Sequence, residues 1–165
     1  MNDSLENLLS RHRGGSILID TNILLLLFVG AFDRQLIQTF KRTATFVPED
    51  FELLLRLIGQ IPKIVTTPHV LAEVNSLSGQ LGEPKRTEYF AHFVTQIGVL
   101  DERYVASATA AAHAAFPRIG LTDAGILSLA GRELLVLTDD FRFSNFLAAA
   151  DADYINFNHI RSIGW

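Results

Sequence analysis

Two kinds of hydrophobic pattern alternate along this chain. Short, almost wholly apolar runs occur at "SILID" (16–20), "KIVTT" (63–67), "ELLVLT" (133–138) and "DYINF" (153–157). Runs of that length, bounded by turn residues, predict buried strands. Between them lie longer stretches in which apolar residues return every three or four positions, the period of a helix with one buried face. The first covers residues 4–12, with Ser4 as its N-cap and Leu5, Leu8 and Leu9 on one face. A second runs from about Asn22 towards Arg42, with a break expected at Gly30. Pro48 opens "PEDFELLLRLIG" and Gly59 ends it. Thr67 caps, and Pro68 starts, the helix "PHVLAEVNSL". "SGQLGEPK" reads as a loop, followed by a helix from Pro84 to Ile97. "DERYVASATAAAHAAF" is alanine-rich and predicts one helix closed by Pro117. "LTDAGILSLAGR" and "DDFRFSNFLAAA" supply two further helices, the second entered by a turn.

Short apolar strands separated by helices predict an α/β fold, with a small parallel sheet flanked by helices on both faces. At 165 residues the chain suits one domain. Residues 1–15 read as an N-terminal helical extension and 16–165 as the domain proper.

Composition narrows the classes. Hydrophobic residues are 48% and charged residues 19%, as in a compact globular protein. There is no cysteine, hence neither a disulfide framework nor a thiolate metal site. The run from Ile23 to Val29 is far short of the roughly 20 residues that cross a bilayer. "MNDSLENLLSRHRGG" is acidic before it is basic, the reverse of a signal peptide, so the expectation is a cytoplasmic protein without a membrane partner. The net charge of −4 does not mark a nucleic-acid binder, although carboxylates gathered around cations would lower it while creating a site for phosphates.

The acids carry the candidate chemistry. In an open parallel sheet, ligands bind outside the carboxyl ends of the strands. Asp20 ends the first strand, and Asp139 and Asp140 directly follow "LVLT". Glu73 lies in the helix after "KIVTT", and Asp123 opens the helix that precedes "LVLT". Each aspartate has a plainer role available as a helix cap, worth roughly 0.3–2 kcal/mol. Glu73 is harder to account for in that way. It sits among Val70, Leu71, Ala72, Val74 and Leu77, where an unpaired carboxylate would be costly. Converging carboxylates repel one another, and a hard divalent cation relieves that repulsion. Oxygen ligands without cysteine suit Mg²⁺ or Mn²⁺, ions that serve phosphodiester chemistry.

Four segments, "ILIDTNIL", "VTTPHVLAEV", "LTDAGILSLA" and "LLVLTDDFRF", together resemble the PIN-domain family of metal-dependent ribonucleases, in order and in element. The resemblance spans roughly residues 16–157. It implies a three-layer α/β/α fold and an endoribonuclease that uses Mg²⁺ or Mn²⁺ and leaves 5′-phosphate and 3′-hydroxyl ends. It implies Asp20, Glu73, Asp123 and Asp140 as catalytic metal-binding acids, with Asp139 as a further ligand. Asn22 resembles the family's orienting amide, and Thr138 its supporting hydroxyl. RNA would be the substrate, and the toxin-like members add a protein antitoxin as a partner. This chain is longer than those toxins between Asp20 and Glu73, where "VPEDFELLLRLIGQIP" is inserted. A catalytically silent PIN-like scaffold for nucleic acid or protein is the alternative.

Other readings of the acids fail on single residues. A haloacid-dehalogenase phosphatase needs a second aspartate where Asn22 stands, and a receiver domain needs a late lysine where the chain has none beyond Arg86. No glycine-rich phosphate loop is present. Arg142, just after the acid pair, is a candidate contact to a substrate phosphate. His69 shares a helical face with Glu73 but suits a solvent-exposed helix start. "ILLLLF" is apolar all round, which suits core and leaves a homodimer contact open.

Overall fold

A computed structural model describes residues 2–163, so Met1, Gly164 and Trp165 at the ends of the expected segments lie outside the described residues. The protein is α/β, with one five-stranded sheet whose strands are all parallel. The strands are β1 (Ser16–Ile19), β2 (Lys63–Thr66), β3 (Asp101–Glu102), β4 (Leu134–Thr138) and β5 (Tyr154–Asn156). Their order across the sheet is β3-β2-β1-β4-β5. All of β1 and β4 is buried, as the unbroken apolar runs require when helices cover both faces.

The order places a topological switch between β1 and β4. From β1 the chain moves outward through β2 to β3, then crosses back to β4 and moves outward the other way to β5. Right-handed crossovers therefore put the intervening helices on opposite faces. On one face lie α2 (Thr21–Phe32), α3 (Leu36–Thr39), α4 (Pro48–Ile58), α5 (Pro68–Ser78) and α6 (Lys85–Ile97). On the other lie α7 (Ser107–Ala111), α8 (Phe116–Leu129) and α9 (Phe141–Ala149). In agreement, α2 packs on α4, α5 and α6, while α8 packs on α7 and α9. The result is a three-layer α/β/α architecture.

Local signals account for most boundaries. Thr67 accepts a hydrogen bond from the Val70 amide at 3.2 Å, and Pro68 follows it as the first residue of α5. Pro48 starts α4 and Gly59 ends it. Five details differ from the sequence expectations. The N-terminal helix α1 (Asn2–His12) has begun by Asn2, so Ser4 lies within it and does not cap it. The long second helix does not break at Gly30. It ends at Asp33, and α3 follows separately. The alanine-rich stretch is not one helix. Asp101 and Glu102 pair with Val65 and Thr66 as edge strand β3, because tertiary pairing overrides weak helix propensity. Pro117 sits at the start of α8, where its missing N–H costs nothing, and does not close a helix. Beyond β5 the expected tail is a helix, α10 (Phe157–Ile163). The run Ile23–Val29 is 0–6% exposed within this chain, in agreement with its expected place in the core.

The extension docks on the domain. Leu9 of α1 belongs to the main core, and His12 Nε2 lies 2.8 Å from Asp153 Oδ2 just before β5. Among the described residues, no helix is long and apolar enough to cross a membrane.

Candidate functional site

The switch point brings the acids to one edge of the sheet. Asp20 follows β1, and its amide donates to Leu137 O at 2.9 Å, extending the β1–β4 pairing by one residue. Its carboxylate is held twice. Oδ1 accepts the Thr21 amide at 2.7 Å, and Oδ2 accepts the Thr138 hydroxyl at 2.6 Å. The same Thr138 oxygen accepts the Asp140 amide at 3.0 Å, so one hydroxyl ties the end of β1 to the turn after β4.

Glu73 is reached through a residue that pattern reading passed over. The Thr21 hydroxyl donates to Glu73 Oε2 at 3.2 Å, linking the start of α2 to the middle of α5. Asp123 enters from the opposite layer. At Gly120 the helix α8 is interrupted, with φ +83° and ψ 180°, a conformation that L side chains avoid. The helix restarts at once, which leaves Asp123 in the first turn of the second segment and facing α5. A cleft of about 470 Å³ separates the two helices, lined by His69, Glu73, Ile119, Gly120, Leu121 and Asp123, among others.

Electrostatics register the convergence. Burial, then repulsion from Asp20, Asp140 and Glu73 in that order, pushes the Asp123 carboxyl up to about 8. The three charged groups acting on it are all carboxylates. Burial pushes Asp20 up to about 6 against its hydrogen bonds from Thr138 and Thr21, with Asp139 and Glu73 adding to the rise. Asp139 is also raised by burial, moderated by the Asn22 side-chain amide.

Other expected residues take more local roles. Asp140 is the N-cap of α9, its Oδ1 accepting the Arg142 and Phe143 amides at 2.6 and 2.9 Å. Asn22 donates to Asp139 Oδ1 at 3.3 Å. Arg142 has an exposed side chain. His69 is not the solvent-exposed helix-start residue expected. Its Nε2 pairs with Ser107 Oγ at 2.9 Å, and its Nδ1 is buried without a partner. Asn158 carried no sequence signal, yet its side-chain amide donates to Asp139 O at 2.7 Å and fastens the acid-bearing turn to α10.

Among the described residues, no three carboxylate or imidazole groups stand close enough to enclose a metal ion as they are placed. The chemistry of the donor set does fit one. It is oxygen-only, partly buried and self-repelling, which is what a hard divalent cation neutralises. No known protein family, curated protein or solved structure matches this chain.

Proposed function

We propose that this chain is a PIN-like, metal-dependent endoribonuclease that hydrolyses RNA phosphodiester bonds with Mg²⁺ or Mn²⁺. The observation that carries the reading is the position of Asp123, pushed up to about 8 by burial and three other carboxylates at the switch point. Perturbed carboxylates in a cleft at the carboxyl edge of a parallel sheet mark a working site more often than a structural one.

Asp20, Glu73 and Asp123 would hold the cations, with Asp139 and Asp140 at the margin. A bound divalent cation supplies an activated water and offsets the charge on the departing oxygen. The chain's own contribution is positioning. Thr138 and the Thr21 amide fix both oxygens of Asp20. The Thr21 hydroxyl orients Glu73, and Asn22 orients Asp139. Burial and the neighbouring carboxylates favour the protonated form of Asp123, so cation binding there would be accompanied by proton release. The overall reaction adds water across the P–O3′ bond, leaving a 5′-phosphate on one product and a 3′-hydroxyl on the other. Arg142, exposed two residues after Asp140, would be a contact for a flanking phosphate.

The test is to incubate the purified protein with single-stranded RNA and Mn²⁺. Cleavage that EDTA abolishes is expected, and Asp20→Asn should lower the rate by about a hundredfold or more. No cleavage with metal, or cleavage that survives both EDTA and Asp20→Asn, would sink the reading. The silent-scaffold alternative draws on Asp140, whose carboxylate is already engaged as a helix cap. Mn²⁺ binding without turnover would favour it.

A further inference from the structure

Phe141 is the first residue of α9 and follows Asp140 directly, yet its side chain is 62% exposed. A helix needs no aromatic ring at that position. The ring is nonetheless held in place. It meets His159 edge-to-face, with centroids 5.3 Å apart and planes at 78°. The turn that carries it is anchored on each side, by the Asp140 cap within α9 and by Asn158 reaching from α10 to Asp139 O. An exposed ring packed against a second ring and carried by an anchored turn beside the carboxylates offers a flat surface that loses less freedom on binding than an unbraced side chain would.

We infer that Phe141, braced by His159, is a stacking platform for one unpaired nucleobase, holding a single strand against the Asp139–Asp140 side of the site. The inference rests on the nuclease reading and adds to it a residue that selects single strands. Any base can stack on a phenyl face, so the platform confers little sequence preference, whereas the bases of a duplex are already stacked on each other. His159 is a positioning residue, acting through the orientation of the Phe141 ring.

The experiment measures fluorescence anisotropy of a short fluorescein-labelled single-stranded RNA, and of its blunt duplex, with Ca²⁺ as the divalent cation. Wild type is compared with Phe141→Ala, Phe141→Trp and His159→Ala, and with Val94→Ala as an exposed apolar control on α6. Phe141→Ala should weaken single-strand binding about tenfold, with Phe141→Trp near wild type and His159→Ala between the two. Duplex binding should not change, and Val94→Ala should match wild type. In Mn²⁺ cleavage assays the Phe141→Ala loss should fall in KM rather than kcat. Thermal melts should coincide, because the side chain is exposed. Equal binding by wild type and Phe141→Ala, an equal loss on duplex, failure of Phe141→Trp to recover, or no single-strand binding by wild type overturns the platform. Binding that depends on Phe141 without Mn²⁺ cleavage would remove the nuclease reading and keep the platform. Cleavage whose KM ignores Phe141→Ala would do the reverse.

Discussion

A buried carboxylate can be kept ionised by donors or forced to hold its proton by burial, and Asp20, after β1, and Asp123, within α8, lie at different points between these limits. Asp20 has two strong donors and still rises to about 6. Asp123 feels three carboxylates and rises to about 8. An aspartate in the unfolded chain titrates near 3.8, so the folded state binds more protons between that pH and about 8. Folding stability without metal must therefore fall as pH rises across that window. Thermal melts in EDTA should show the melting temperature declining from about pH 5 to about pH 8, with Asp123→Asn flattening much of the decline and melting higher than wild type at the upper end. A flat wild-type profile would mean that the acids do not interact as described. At this scale the sequence identified the acids but not their links. Thr21 lies inside the conspicuous "DTN" triplet, but only the folded chain shows its hydroxyl reaching Glu73, distant in sequence.

At the scale of elements, local chemistry and packing divide the explanation. Thr67, Pro68, Pro48 and Gly59 act within one turn of themselves, and their roles were readable for that reason. Gly30 was misread because its reason is tertiary. A Cβ there would lie 2.4 Å from Phe51 Cδ2, so glycine permits α4 to pack against an unbroken α2. Gly30→Ala should destabilise by about 1–3 kcal/mol in urea melts, since the ring it meets is buried on α4. Phe51→Leu in the same background should recover part of that loss, and no recovery would point to a backbone cause. The edge strand β3 and the helix α10 were missed for a related reason. Two residues of strand and a polar final segment carry almost no periodic signal, and both are defined by the elements they dock on.

For the whole molecule, the chain ends are tied together by one buried pair. His12, 3% exposed, meets Asp153, 8% exposed, and Arg11 lies 3.4 Å from the same carboxylate. Asp153→Ala should cost about 1–3 kcal/mol by leaving the imidazole without its acceptor, whereas Asp153→Asn should cost less. Equal effects from the two would show that packing of α1, rather than the hydrogen bond, holds the extension in place.

The sequence alone determined four of the five strands, the starts of α2, α4, α5, α6 and α9, the α/β class and the set of acids that could form a site, because each follows from patterns a few residues long. Only the tertiary structure decided that β1 and β4 lie side by side with the chain turning opposite ways from them. That single adjacency brings Asp20 beside Thr138 and sets Glu73 and Asp123 across one cleft. No local pattern encodes it, since it depends on which strands pair, and pairing is chosen by burial of the whole sheet at once.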